Sequence, residues 1–145
     1  VVFQAQDDLL LSKPEYRISV EYAKEPENEK HITVLGDEPL LKTVFTNLIS
    51  NACKYSANHQ ALVIINFNET HTLVSVQDEG IGIPAEDLTA IFEPFYRSKN
   101  ALTISGFGVG LSVCKRIVEL HKGKIHVESQ LQHGSKFLVE LPHIS

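Results

Sequence analysis

The sequence predicts an α/β fold: a two-layer sandwich with one mixed sheet of about five strands covered by about three helices. Two observations predict it. Short runs rich in β-branched residues come mostly in adjacent pairs, and the stretches carrying the helical period are interleaved with those pairs irregularly. A chain of 145 residues with 43% hydrophobic content is long enough for one ordinary core and too short for two, so residues 1–145 form a single domain.

Taken in order, Ile18, Val20 and Tyr22 alternate with polar residues, as do Ile32 and Val34, which predicts an opening hairpin around a polar turn at 24–30. After Asp37, apolar residues recur at Leu40, Leu41, Val44, Phe45, Leu48, Ile49, Ala52 and Cys53. That is the period of a long helix with an acidic cap and Pro39 in its first turn, ending at 56–58. Residues 61–67 and 72–78 read as a second hairpin around Asn68, Glu69 and Thr70. A short helix is expected over 85–92, directly after Pro84. The polar, aperiodic stretch 96–106 reads as a lid, with an ordinary surface loop as the alternative. Leu111, Cys114, Val118 and His121, flanked by Val113, Ile117 and Leu120, mark another amphipathic helix with Lys115, Arg116 and Glu119 toward water. Two strands, 124–129 and 136–141, close the chain.

A net charge of −5 provides no basic field for nucleic acid, so an anionic ligand must be held by local donors. The longest apolar runs are a few residues, which excludes a membrane span, a signal-peptide core and direct membrane contact for these residues. The chain contains no Met, so it is expected to be a fragment of a longer protein. Cys53 and Cys114 fall in helical patterns rather than metal spacing and read as buried free thiols of a reducing cytoplasm.

Three segments carry chemistry. On a helical wheel at ~100° per residue, Asn47, Asn51 and Lys54 form a narrow stripe beside the apolar face of Val44, Leu48 and Ala52. An amide oxygen there can complete the oxygen shell of Mg²⁺, and Lys54 adds a point charge for phosphates; a solvated polar stripe is the alternative. Asp78 continues the alternation of Val74 and Val76, so its carboxylate points to the core side and needs a donor, a need the exocyclic amino group of adenine can meet. Gly80 and Gly82, with Ile83 beside them, let the backbone turn sharply and approach a base. Gly106, Gly108 and Gly110, with Val109 and Leu111 between and after them, directly precede a helix, so free N–H groups and the positive helix end face whatever anion lies there. Arg97 opens the lid within reach of a terminal phosphate, or is simply exposed. Phe92, Phe95 and Tyr96 are core or a docking patch, with core favoured for Phe92.

In this order and spacing, with Ile91, Phe92, Glu93, Pro94, Phe95, Tyr96 and Arg97 between the glycine segments, the chain resembles the catalytic ATP-binding domain of bacterial sensor histidine kinases, of the GHKL superfamily, from about residue 17 to Pro142. The resemblance implies the Bergerat-type ATP-binding fold. It implies ATP and Mg²⁺ as cofactors, with Asn51 as the metal ligand supported by Asn47, Tyr55 lying against the adenine, and Asp78 reading its amino group. Ile83, Phe92, Val109 and Leu111 belong to the implied nucleotide site, and Lys54 and Arg97 join the two asparagines in catalysis. The partners implied are a histidine-bearing dimerisation domain of the same protein, reached through residues 1–16, and a response regulator receiver domain. The intact protein is implied to be a homodimer and this domain to be cytoplasmic, whether or not the whole kinase is membrane-bound.

Within the superfamily, ATPases place a glutamate one helical turn before the metal-binding asparagine, as general base; this chain has Asn47, whose amide cannot take a proton. A neutral imidazole offers its own lone pair, so histidine phosphorylation is favoured over hydrolysis, the alternatives being an ATPase or a nucleotide-sensing module. None of the seven histidines is followed by an acid, the signature of the phosphoacceptor, so the acceptor is expected N-terminal to Val1. Lys122 stands where the family often has Gly and Ser135 where Thr is common, both apart from the proposed chemistry.

Overall fold

The computed structural model describes residues 1–23, 34, 36–56, 58–83, 88, 91–92, 109–130 and 132–143. The elements are α1 (Val2–Ser12), β1 (Arg17–Tyr22), α2 (Glu38–Tyr55), β2 (Gln60–Phe67), β3 (His71–Asp78), α3 (Val109–Leu120), β4 (Lys124–Gln130) and β5 (Gly134–Pro142). The five strands form one mixed sheet in the order β1-β2-β3-β5-β4, with β1 and β2 parallel and every other pair antiparallel.

The parallel pair follows from the long connection between its strands, because only a crossover can bring two successive strands into the same direction, and α2 is that crossover. The tight β2–β3 hairpin has a local cause. Asn68 Oδ1 accepts from the backbone N–H groups of Thr70 (2.9 Å) and His71 (2.7 Å), so the side chain stands in for a turn carbonyl.

One face of the sheet carries Ala61, Val63, Ile65, Val74, Val76, Phe137, Val139 and Leu141, all buried beneath the helices. Above them α2 buries Leu41, Val44, Phe45, Leu48, Ile49, Ala52 and Cys53. At roughly 1.5–3 kcal/mol for each large side chain fully buried, this helix is the main hydrophobic anchor of the fold. Its start is fixed as the sequence predicts: Asp37 accepts from the Leu40 N–H at 2.9 Å, and Ser56 caps the other end. In α3, Cys114, Ile117 and Val118 are buried, whereas Val113 and Leu120 fall off the core stripe and are exposed. The two helices are tied where α2 begins and α3 ends. His121 Nε2 accepts from the Asp37 N–H at 3.0 Å, which leaves Nδ1 to donate to the Ile117 carbonyl at 2.7 Å.

One difference from the sequence reading stands out, and two expected elements fall wholly or mostly outside the described residues. Residues 1–16, read only as a connection, contain α1, which buries Val2, Ala5 and Leu9 against the core and is followed by buried Tyr16. Gln6 Nε2 donates to the Ile18 carbonyl at 2.8 Å, and Lys42 of α2 pairs with Asp8. The expected partner of β1 around Ile32 lies outside the described residues, apart from Val34, which is in no strand. Of the helix expected over 85–92, only 88, 91 and 92 are described, and they are in turns.

Candidate functional site

Asn47, Asn51, Lys54 and Tyr55 are half-buried on one flank of α2, next to buried Leu48 and Ala52. The stripe borders the core, as the helical wheel requires. Asn47 faces α3: a β-carbon added at Gly110 would lie 3.9 Å from Asn47 Cγ, and the Asn47 side chain hydrogen-bonds the Cys114 thiol. Burial pushes that thiol up to about 11, so it stays protonated at neutral pH. Its Sγ–H donates to the Val44 carbonyl at 3.7 Å. Cys53 is buried as well and raised to about 12, also by burial, so both cysteines are the free, inert thiols expected.

Asp78 ends β3. It is half-buried, and burial raises its carboxyl above the ordinary value, opposed by backbone N–H groups of Gly80 and Ser135 that hydrogen-bond the carboxylate. The Gly80 bond is 2.9 Å long. The donor that the sequence reading requires for this acid is thus supplied in part by its own chain. A carboxylate offers about four acceptor positions, however, so two backbone donors leave capacity for a ligand N–H.

The turn after Asp78 lies beneath the end of α2. Ile81 N–H donates to the Tyr55 carbonyl at 3.3 Å, and a β-carbon at Gly80 would fall 2.0 Å from the same oxygen. Gly80 is thus demanded by the main chain of α2. Gly82 takes the positive φ of 72° that a sharp turn needs. Ile83 is half-buried against the core, and its N–H donates to Ser129 Oγ at 2.7 Å.

Phe92 packs on the core, edge-on to Phe137 at 6.3 Å, with the Lys115 ammonium 5.7 Å from its ring. At the third segment, α3 begins at Val109, so Gly110 is inside the first turn rather than ahead of the helix, and half-buried Leu111 follows it. First-turn N–H groups have no intrahelical acceptor, so Gly110 still presents a donor at a positive helix end. Gly106, Gly108, Arg97, Phe95, Tyr96, the rest of the expected lid and the Val109 side chain lie outside the described residues.

Two of the three segments are therefore brought to the same half of α2: the Asp78 turn through Tyr55 and the α3 start through Asn47. Sequence reasoning missed Ser129, Gln132 and Cys114, and it set Ser135 apart from the site although its N–H holds Asp78. No local pattern marks any of them, because each acts on a residue distant in sequence. The amide oxygens of Asn47 and Asn51 are hard donors suited to Mg²⁺, which is bound through few protein ligands. An apolar hollow of about 370 Å³ lies away from these residues, beside Phe3, Phe45 and Phe67. Another, about 400 Å³, is lined by Asp78 and Glu79 together with Arg17, Ser19, Gln60 and Gln77.

Residues 36–145 match the family of histidine kinase-, DNA gyrase B- and HSP90-like ATPases. The chain belongs to that family. Among curated proteins it is 41% identical over 114 residues to sensor protein RprX of Bacteroides fragilis, covering 75% of this chain and 22% of that protein. It is 44% identical over 112 residues to the adaptive-response sensory kinase SasA of Prochlorococcus marinus, covering 75% of this chain and 29% of that protein. The chain thus spans less than a third of the length of these curated relatives. Among solved structures, the mycobacterial sensor histidine kinase MprB shares the fold, with a TM-score of 0.82 at 24% identity over 98% of this chain and 93% of that one. The catalytic domain of histidine kinase ThkA gives 0.76 at 28% identity, over 97% and 90%. Its relatives are sensor histidine kinases, and the mixed five-stranded sheet with three helices among the described residues matches their catalytic domains. No helix of the described residues is long and apolar enough to cross a membrane.

Proposed function

We propose that this domain binds Mg-ATP and transfers the γ-phosphoryl group to a histidine on a separate dimerisation domain of the same protein, from which a response regulator receiver domain takes it. The observation that carries this reading is the convergence on one half of α2 of an amide-bearing stripe, a half-buried acid with spare acceptor capacity and the positive start of α3.

In this reading Asp78 accepts from the adenine amino group, where guanine would present a carbonyl oxygen instead. Tyr55, Ile83 and Phe92 border the base. Lys54, the first turn of α3 at Val109, Gly110 and Leu111, the glycines Gly106 and Gly108 and the lid residue Arg97 meet the phosphates. Asn51, supported by Asn47, supplies oxygen to Mg²⁺, whose charge neutralises the phosphate oxygens when it is bound. The acceptor imidazole nitrogen forms a bond to the γ-phosphorus, the bond to the β–γ bridging oxygen breaks with its electron pair leaving on ADP, and the imidazole proton passes to solvent. Positioning and charge stabilisation supply the rate, and no general base from this domain is required.

The deciding experiment mixes the purified chain and Mg-ATP with a cognate dimerisation domain in trans. Acid-labile, base-stable label should appear on the added domain, weakly because the tether is cut, with negligible labelling of this chain and very slow hydrolysis. Rapid phosphate release by the chain alone, undiminished by Asn47→Ala, overturns the reading in favour of an ATPase.

A further inference from the structure

Ser129 lies on β4, the edge strand, separated from β3 by β5. Its hydroxyl is saturated by the chain itself. It accepts from the Ile83 N–H at 2.7 Å, donates to the Gly134 carbonyl at 2.9 Å, and lies 3.0 Å from Ser135 Oγ. A hydroxyl has one proton and two lone pairs, so Ile83, Gly134 and Ser135 fill it, with nothing left for a ligand. The same β4–β5 turn grips the Asp78 loop again through the Gln132 N–H, which donates to the Ile81 carbonyl at 2.9 Å. Gly134, at φ 90°, runs so close that a β-carbon there would fall 2.0 Å from the Asp78 carbonyl oxygen. The loop is thereby fastened between the α2 end, through Tyr55, and a turn from the far edge of the sheet.

We propose that Ser129 is a positioning residue for the nucleotide base: by holding the Ile83 N–H it fixes the path of the 79–83 turn, and with it the affinity for adenine nucleotides, without touching the ligand. The proposal rests on the nucleotide-binding reading above. Removing the hydroxyl leaves a partly buried N–H without its partner and frees the turn at its far end, whereas the phosphate-facing residues of α2 and α3 are untouched.

The test compares wild type, Ser129→Ala and Ser129→Thr by calorimetric titration with ADP and with a non-hydrolysable ATP analogue, each with and without Mg²⁺, together with amide exchange of the empty proteins. Ser129→Ala should weaken both nucleotides by the same factor, about tenfold, with the Mg²⁺-dependent ratio unchanged. Exchange at Ile81 and Ile83 should quicken while the α2 amides keep their protection, and Ser129→Thr, which keeps the hydroxyl, should restore both readings. If Ser129→Ala does not fold, Ser129→Cys, a poor acceptor, takes its place. Wild-type affinity in the variant, or a loss that Ser129→Thr does not recover, overturns the proposal. A wild-type protein that binds no nucleotide overturns the nucleotide reading instead, and unchanged Ile83 exchange in Ser129→Ala would then independently refute the lock.

Discussion

At the end of the site proposed to hold the base, the 79–83 turn is fastened by bonds to Tyr55 and to β4 and the β4–β5 turn, whereas at the end proposed to hold the phosphates Asn51 and Lys54 stand on a helix flank, their side chains making no hydrogen bond or ion pair to another described residue. The difference is one of preorganisation. A group held before the ligand arrives gives up no freedom on binding, so it can discriminate by small differences in hydrogen-bond pattern. A lysine carries about 2 kcal/mol of rotamer entropy and can follow a flexible triphosphate and its cation. Asn47 is intermediate: it belongs to the same stripe, yet the Cys114 thiol already hydrogen-bonds it.

Substitution at the two ends should therefore fail in different ways, and the largest effect is expected at the base end. Asp78→Asn should lower the affinities for ADP and ATP by the same factor, between about 10-fold and 100-fold, the worth of a hydrogen bond to a charged group. Asn51→Ala should leave Mg²⁺-free ADP binding unchanged and remove the gain that Mg²⁺ adds for ATP, with unaltered circular dichroism, since the position lies beside the core rather than in it. Calorimetry with and without Mg²⁺ separates the two. An Asn51→Ala protein that keeps the full Mg²⁺ gain, or an Asp78→Asn protein that loses only that gain, would dissolve the division between the ends.

A pH titration sharpens the same contrast with a smaller effect. Burial holds the Asp78 carboxyl above its ordinary value, and only the ionised form can accept from an amino group with both oxygens. Nucleotide affinity should therefore fall on acidification, beginning above the usual carboxylate range, and Asp78→Asn should flatten this part of the profile. The stability of the empty protein moves the other way. A carboxyl whose folded value is raised contributes stability that is fully present below its unfolded value and lost as pH rises through the folded one. If wild type and Asp78→Asn share the same acid loss of affinity, the acid reads nothing of the base.

Much of this layout is legible in the sequence where the cause is local. The period of Leu41, Val44, Leu48 and Ala52 declares α2, Asp37 caps it three residues before the N–H it accepts, and Asn68 turns the β2–β3 hairpin on its own neighbours. By contrast, α1 is hidden because Phe3 and Leu11, the latter 83% exposed, fall outside the stripe of Val2, Ala5 and Leu9 and blur the helical period. The reason for Gly80 is hidden as well, since the carbonyl it must avoid belongs to Tyr55, and Ser129 acts on a residue 46 positions away. The polar stripe and Asp78 could be read as candidates from residue type and phase. Their supports could not, because those are contacts made only by the folded sheet.

The smallest effect expected lies away from both ends and serves as their control. Lys122 follows α3 at a φ of 60°, in the left-handed region where a side chain costs about 1–2 kcal/mol relative to glycine. Glycine in turn loses about 0.4–1 kcal/mol more backbone entropy on folding, so Lys122→Gly should stabilise the protein by a net of about 0.5–1 kcal/mol. The gain should appear as a higher denaturant midpoint with an unchanged slope. Nucleotide affinity and its Mg²⁺ dependence should be untouched, because Lys122 adjoins the His121 tie at the far end of α3, away from Gly110 and Asn47. A stabilised variant whose affinity also changed would mean that the two ends of α3 are coupled through the helix. The α2–α3 tie at His121 would then belong to the binding machinery, and the contrast between a fixed base end and an adjustable phosphate end would have to include it.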